Sequence, residues 1–136
     1  MKSAEAREEK TMFEDTFMTA RTVLGRVKEL TNQLEVSKRR AEYKAELGED
    51  TSEIEAGQKN LEQSILDWKS SILEILTQLP TAMQTIVMMK RYVDLMSWED
   101  IAEDMDVGVR EVQKLHGKAL PILDEMLRAK DEVHSA

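Results

Sequence analysis

Positions that are mostly apolar recur at alternating steps of four and three along two long stretches of this chain. The first stretch has seven such positions: Phe13, Phe17, Ala20, Leu24, Val27, Thr31 and Leu34. The second continues the same spacing through Ile54, Gln58, Leu61, Ile65, Trp68, Ile72, Ile75 and Leu79. Because this spacing keeps one face of an α-helix apolar, each stretch predicts a long helix with a seam suited to packing on another helix.

A charged segment that ends at Gly48 separates the two stretches, and a new helix is predicted to begin near Thr51 or Ser52. Two helices with matching seams and a connector containing glycine predict an antiparallel, coiled-coil-like hairpin. We interpret residues 38–44 as a solvated helix end, while the basic residues 38–40 remain an alternative phosphate contact.

The hairpin has two alternative uses for its seams. Either each seam buries only the other, or the hairpin pairs with a second copy of the chain because it cannot enclose its own apolar surface. We expect the second, since isolated hairpins of this size make poor cores. Residues 1–79 are therefore predicted to form a hairpin region for dimerisation or partner binding.

Residues 97–120 predict two short helices joined by a tight turn. Ser97 and Asp100 have the spacing of a capping box, in which the hydroxyl accepts from an early backbone N–H. The apolar pattern breaks at residues 106–108, where we expect Gly108 to supply the conformational freedom of the turn. Two short helices joined by about four residues match the helix-turn-helix, whose second helix enters the major groove of DNA.

A further helix is predicted between these regions. Pro80 disfavours continuation of the preceding helix, and Thr81 is placed to cap the next one. The expected core residues of this helix are Met83, Ile86, Val87 and Met89. Lys90 and Arg91 near its end have two interpretations: they balance the helix dipole, or they contact DNA phosphates.

Past residue 120, Pro121 allows at most a kinked continuation of the last helix. Residues 122–127 predict one or two final amphipathic turns. The DNA-binding domain is therefore expected to span residues 80–128, followed by a disordered tail at residues 129–136.

The run W-E-D-I-A-E-D-M followed by L-H-x-K-A-L resembles the last conserved region of bacterial sigma factors. It is more similar still to small phage-encoded proteins built on that module, a domain family of unknown function from phages of Gram-positive bacteria related to the RinA and ArpU late-gene activators. The family's elements are Arg91, Tyr92, Trp98, Ile101, Ala102 and residues 115–120. The resemblance is strongest over residues 79–123. It departs at Gly108, where sigma-like modules usually have Ser or Thr, a change that costs roughly a few tenths of a kcal/mol at a cap.

The resemblance implies sequence-specific binding to double-stranded DNA and regulation of phage or prophage late genes. The formal net charge of −8 opposes this, because DNA-binding proteins usually present a basic surface. Residues 109–118 nevertheless hold three basic residues and one acidic residue. The acids lie on the preceding helix and turn: Glu99, Asp100, Glu103, Asp104 and Asp106. Because phosphate neutralisation supplies much of the affinity, we expect a single copy to need help from a second copy or from RNA polymerase.

The second helix of the pair carries the expected DNA contacts. Arg110, Gln113 and Lys114 are predicted to contact base edges, since Arg and Lys match guanine acceptors and Gln matches adenine. Glu111 either accepts from cytosine or favours the helix start through its charge. The expected contacts to the DNA backbone are Lys90, Arg91, Gly117 and Lys118.

Composition limits the remaining possibilities. Charged residues make up 34% of the chain while glycine, proline and aromatic residues are scarce, which favours an all-helical protein. The absence of cysteine rules out disulfides and fits a reducing compartment. No apolar run is long enough to span a membrane and the N-terminus does not match a signal peptide, so the cytoplasm of a bacterial host is the expected location.

Nothing in the sequence predicts an enzyme. His116 is expected to pack in the core or to contact a phosphate. The acid pairs at i, i+4 have no histidine at ligand spacing, so no metal site is expected. The chain also has no glycine-rich phosphate loop and no defensible pairing of a nucleophile with a base, so we expect no catalytic residue and no cofactor.

The sequence thus predicts an all-α protein in which an N-terminal helical hairpin precedes a sigma-like helix-turn-helix. The expected function is transcriptional regulation by a homodimer bound to double-stranded DNA. The alternative is a protein-interaction module whose hairpin docks RNA polymerase or another partner without contacting DNA, and the overall acidity favours that alternative.

Overall fold

A computed structural model describes residues 19–135 of the chain. Its helices are α1 (Ala20–Leu24), α2 (Arg26–Glu46), α3 (Ser52–Leu76), α4 (Ala82–Tyr92), α5 (Trp98–Met105) and α6 (Val109–Ser135). The described residues contain no strand, which confirms the all-α fold class. No described helix combines the length and the apolar character needed to cross a membrane. The predicted seam positions Phe13 and Phe17 lie outside the described residues.

Helices α2 and α3 are joined by a short connector and pack along each other. Gly48 is left-handed, with φ of 77°, and its N–H donates to Ala45 O at 3.0 Å. The Glu49 N–H donates to Lys44 O at 2.9 Å, so the end of α2 has the paired hydrogen bonds of a Schellman motif. Residues 38–44 form the last turns of α2 and are mostly exposed, in agreement with a solvated helix end.

Seven of the eight seam positions predicted for the second long helix lie on α3, which ends at Leu76, so the predicted continuation of the helix to Leu79 is wrong. All eight positions, Leu79 included, are buried or half-buried, as the seam predicts. Packing is tightest at the base of the helix pair, where Val27 and Ile72 are completely buried. Towards the connector, the α2 residues that face inward are the small or polar Ser37 and Ala41. The base of this pair therefore contributes most of its packing energy.

The first predicted helix is interrupted at Gly25. Helix α1 ends at Leu24, and Gly25 follows with φ of −76° and ψ of −8°, so the chain passes into α2 with little change of direction. The Ala20 N–H donates to Asp124 Oδ1 at 2.6 Å, which attaches the start of α1 to α6. Ala20 and Leu24 are buried as the seam predicts.

One core joins the base of α2 and α3 to the helices that follow. The largest fully buried side chains are Ile72, Leu76, Met88, Ile101, Leu123, Val27, Val87 and Val112. Because these come from α2 through α6, the core is continuous across the predicted domain boundary at residues 79 and 80.

Helix α4 begins as predicted, since the Thr81 side chain accepts from Gln84 N at 3.2 Å. Its predicted core face is partly wrong. Val87 is buried and Met89 is half-buried, but Met83 is 42% exposed and Ile86 is 38% exposed.

Gln84 and Met88 take the inward positions instead. The Thr85 hydroxyl donates to Leu76 O at 3.0 Å and fixes the rotation of α4 about its axis. That rotation turns the line formed by Gln84, Val87 and Met88 towards the core, so Met83 and Ile86 must face outward.

Helix α6 continues through Pro121 and ends at Ser135, within the segment predicted to be disordered. The short final helix predicted after Pro121 is thus part of one long helix. Because proline has no N–H, the Gly117 carbonyl lacks its usual helical donor at this point.

Candidate nucleic-acid interface

The turn between α5 and α6 is fixed by hydrogen bonds at both ends of α5. Ser97 Oγ accepts from Asp100 N at 3.1 Å, which confirms the hydroxyl half of the predicted capping box. At the other end, Asp106 N donates to Glu103 O at 3.2 Å and Val107 N donates to Ala102 O at 3.0 Å. These two bonds form a Schellman motif that closes α5 directly before α6 begins.

The expected role of Gly108 in this turn is wrong. The left-handed residue is Asp106, with φ of 57°, and Gly108 has no positive φ. Aspartate tolerates this conformation better than most residues because its short side chain can bond to nearby backbone. Gly108 stands immediately before α6, where its carbonyl accepts from Glu111 N at 3.1 Å and Val112 N at 3.2 Å.

One side of α6 is anchored in the core. Val112 and Ala119 are completely buried, and His116 is 8% exposed. Helix α5 covers this side with Ile101 and Ala102, which are also buried. The rotation of α6 about its axis is therefore determined by packing over two full turns.

His116 is surrounded by aromatic side chains from the two preceding helices. Its Nε2 lies 2.6 Å from Tyr92 Oη, and its ring meets Trp98 edge-on with centroids 4.8 Å apart. Burial of the ring, followed by the positive charges of Arg21 and Arg91, lowers the His116 pKa to about 4. The ring is neutral at physiological pH and packs inside the protein, away from the exposed side of α6.

The opposite side of α6 is exposed over residues 109–118, and the structure brings the six predicted α6 contacts together on it. All of the following are exposed: Arg110, Glu111, Gln113, Lys114, Gly117 and Lys118. Their separation from the buried line of Val112, His116 and Ala119 follows from the helical period. This surface is called the α6 face below.

The positive charges of the α6 face form no ion pair with a carboxylate of the described residues. In the described part of the chain, no Asp or Glu forms an ion pair with Arg110, Lys114 or Lys118. A Cβ placed on Gly117 would meet nothing within 4 Å, so the backbone is open to close approach at that point. The α6 face can therefore present three cations to an anionic surface without first breaking internal salt bridges.

Lys90 and Arg91 do not join the α6 face. They lie in the last turn of α4, as the dipole interpretation expects, but other groups of the protein take up their charges. Lys90 Nζ pairs with the Asp104 carboxylate of α5. Arg91 donates to Met96 O at 3.0 Å, and its guanidinium carbon lies 4.1 Å from the centroid of the Trp98 ring.

Both side chains are half-buried and tie α4 to α5 and to the loop between them. Sequence reasoning missed this role because the contacts of Lys90 and Arg91 depend on how α4 and α5 are packed. The presence of Trp98 shortly after Arg91 is the one local signal for it, since Arg stacks readily on indole.

The acids of α5 and its turn are exposed on their own helix. Among the described residues, no group of three or more His, Asp or Glu side chains is arranged to hold a metal ion. The acidic surface and the α6 face are thus neighbouring regions of opposite charge, separated by the turn at Asp106.

Comparison with protein-family models, with curated proteins and with solved structures gives no match to this chain.

Proposed function

We propose that this protein is a sequence-specific double-stranded DNA-binding regulator of transcription in which α5, its turn and α6 act as a helix-turn-helix. The observation that carries this proposal is the α6 face. Three cations with no ion-pair partner among the described residues project from one side of a helix whose other side is anchored by Val112, His116 and Ala119. A rigid helix with a free polar face is the element that enters a major groove.

The side chains of the α6 face divide into two roles. Arg110, Gln113 and Lys114 lie in the first turns, where a recognition helix contacts base edges, and their donors match guanine and adenine. Glu111 is suited to the amino group of cytosine. Lys118 and the open backbone at Gly117 lie further along the helix, where contacts to phosphates position the protein.

The acidic remainder of the chain sets the expected strength of binding. With three cations facing DNA and a net charge of −8, one copy should bind weakly, with a log–log salt slope of no more than about 3 in magnitude. Regulation of phage or prophage late genes rests on the sequence resemblance alone, and help from RNA polymerase or from a second copy would supply the missing affinity.

The test is binding of the purified protein to the DNA upstream of its own gene and to the same DNA scrambled, across a salt series. We expect preference for the upstream DNA in the wild type and loss of that preference in Arg110→Ala. Arg128→Ala is the matched control, because Arg128 is an exposed arginine of the same helix about 27 Å away along its axis. Equal affinity for both DNAs at every salt concentration would contradict the proposal.

A second candidate function is docking of a protein partner, such as RNA polymerase, without contact to DNA. The observation that favours it is the acidic surface of α5 together with the overall charge of −8. Capture of purified RNA polymerase by the wild type, undiminished in a triple variant with Arg110, Lys114 and Lys118 changed to Ala, would support this function. Loss of capture in that variant would show that the cations of the α6 face take part in binding the polymerase.

A further inference from the structure

Helix α2 carries a second apolar stripe on the side that faces away from α3. Val36, Tyr43 and Leu47 are 66%, 65% and 74% exposed, more than the other exposed large hydrophobic residues of the described chain. At about 100° per residue they lie within about 40° of one another around the helix. Leu34 and Ala41, which face α3, lie on the opposite side.

The stripe has the spacing of a coiled-coil seam. Val36, Arg40, Tyr43 and Leu47 follow one another at steps of four, three and four. Helix α2 therefore has two seams on opposite sides, and α3 occupies only the inner one. The name outer seam is used below for these four residues: Val36, Arg40, Tyr43 and Leu47.

We propose that the outer seam is the contact surface for a second copy of this chain, with the two α2 helices antiparallel. A twofold axis between residues 41 and 42 places Val36 against Leu47 of the second copy and Arg40 against Tyr43 of the second copy. The first pair is apolar, and the second sets a guanidinium against an aromatic ring. A parallel arrangement would instead press the two Arg40 side chains together, which costs free energy.

Charges along the edge of the outer seam are complementary in the antiparallel arrangement. Arg39 on one copy lies midway, along the helix axis, between Glu42 and Glu46 on the other, about two residues from each. Its present partner is Glu35 of the same helix, at 3.7 Å with both side chains well exposed. Such an exposed pair contributes little, so Arg39 can exchange it for the carboxylates of a second copy.

One like-charge approach accompanies this register, between Arg40 and Lys44 of the second copy. Lys44 Nζ lies 3.6 Å from the Glu49 carboxylate of its own chain, which offsets its charge. The antiparallel arrangement thus leaves no cation of the seam without an opposite charge or an aromatic ring nearby.

The arrangement also sets how far apart the bases of the two helix pairs lie, and α6 shares the core at each base. The twofold axis is about 15 residues from Arg26, or roughly 23 Å along α2, so the bases of the two helix pairs are roughly 46 Å apart. This distance is more than the roughly 34–36 Å that separates two half-sites one turn of DNA apart. Under the proposed DNA-binding function, and only there, the half-sites are expected to be more than one turn apart.

The dimer is tested without DNA, by light scattering of the purified full chain over a concentration series. We expect a species of twice the chain mass of 15.6 kDa. Val36→Glu should raise its dissociation constant by about tenfold or more, because the new carboxylate would be buried against Leu47 of the second copy. Leu66→Glu is the matched control, since Leu66 is an exposed leucine of α3 at 59%, outside the outer seam.

Val36 is exposed in the single chain, so Val36→Glu should keep its helix content, which circular dichroism checks. A wild type that stays at the mass of one chain at all concentrations would overturn the proposal. So would a dimer that Leu66→Glu dissociates and Val36→Glu does not. Neither result depends on DNA binding, so failure of this proposal is distinct from failure of the proposed function.

Cysteine pairs test the register, because the chain has no cysteine of its own. Under mild oxidation, Val36→Cys combined with Leu47→Cys should form a crosslinked dimer, while Val36→Cys alone should not. Efficient crosslinking by Val36→Cys alone would show a parallel arrangement and overturn the proposal.

Charge reversal tests the edge of the seam. Arg39→Glu should weaken the dimer, and adding Glu46→Arg should restore most of the loss by re-forming the pair in the opposite sense. No recovery in the double variant would overturn the proposed register.

Discussion

Tyr92 Oη lies 2.6 Å from Nε2 of His116, and this hydrogen bond joins the end of α4 to the buried side of α6. Trp98 of α5 packs edge-on against the same imidazole. Three helices therefore meet at one neutral histidine, directly beneath the exposed side of α6 that we propose contacts DNA. The stability of this cluster and the protonation of His116 should therefore affect how rigidly α6 is held in its orientation.

The free energy of unfolding should decrease as the pH is lowered, because of His116. Its pKa is lowered from 6.5 to about 4 in the folded chain, chiefly by burial. The unfolded chain therefore binds more protons between these values, so the contribution is complete above pH 6.5 and is lost as pH falls towards 4. We expect a loss of about 1–2 kcal/mol after allowing for solvent screening.

The measurement is the free energy of unfolding from urea titrations between pH 7 and pH 4. Because carboxylates also titrate in this range, the wild type is compared with His116→Phe. As pH falls, the wild type should lose more unfolding free energy than His116→Phe does. The reason is that only the wild type has an imidazole that takes up a proton on unfolding. Parallel curves would show that His116 does not titrate with unfolding.

Tyr92→Phe should lower the free energy of unfolding by about 1–2 kcal/mol, because it leaves Nε2 of His116 buried without a hydrogen-bond partner. Urea unfolding at neutral pH measures the change. Tyr43→Phe is the control, since that hydroxyl is on a residue 65% exposed and its loss should cost little. Equal effects of the two substitutions would argue against the hydrogen bond.

Arg91→Ala should destabilise the protein without changing how its DNA affinity depends on salt. The side chain donates to Met96 O and stacks on Trp98, so its removal should cost about 1–2 kcal/mol of unfolding free energy. A phosphate contact would behave differently, since its removal lowers the salt slope by about one. Measuring both quantities separates the structural role from the DNA-backbone contact that the sequence suggests.

Local sequence information predicted the starts of three helices. The capping roles of Thr81 and Ser97 and the start of α3 at Ser52 depend on residues close together in the chain, and each agrees with the structure. The seam of α3 was equally predictable, because a helix with one continuous apolar line has only one side to bury.

Features that depend on packing between helices were not predictable in the same way. Met83 and Ile86 are as apolar as their neighbours, and only the position of α4 on α3 and α6 decides that they face outward. Lys90 and Arg91 could be assigned their partners only once α5 was placed beside α4. The six residues of the α6 face could be placed on one side of a helix from their spacing alone. The contacts of His116 that anchor that helix involve α4 and α5, so they could be found only in the structure.

The turn before α6 should depend on Asp106 more than on Gly108. Asp106→Val should lower the free energy of unfolding by about 1–2 kcal/mol, because a β-branched residue is strained at φ of 57°. Gly108→Ala should lower it by no more than about 1 kcal/mol, since Gly108 has no positive φ and a Cβ there would meet nothing within 4 Å, so the remaining cost is that alanine is a poorer N-cap than glycine. Urea titrations compare the two, and a larger effect at Gly108 would contradict this assignment.

Arg110→Ala and Lys118→Ala should differ in kind if the α6 face contacts DNA as proposed. Arg110 lies near the start of the helix, so its loss should cost roughly 1–3 kcal/mol on the preferred sequence and relax discrimination at one base pair. Lys118 lies further along, so its loss should weaken all sequences alike and reduce the salt slope by about one.

Fluorescence anisotropy on preferred and scrambled duplexes, at four or more salt concentrations, distinguishes these outcomes. Because both side chains are exposed and lack ion-pair partners among the described residues, neither substitution should change the free energy of unfolding. Equal losses for Arg110→Ala on both duplexes would remove Arg110 from the base contacts. A uniform, salt-dependent loss for both variants would mean that the α6 face binds phosphates alone, because only contacts with base edges can distinguish one sequence from another.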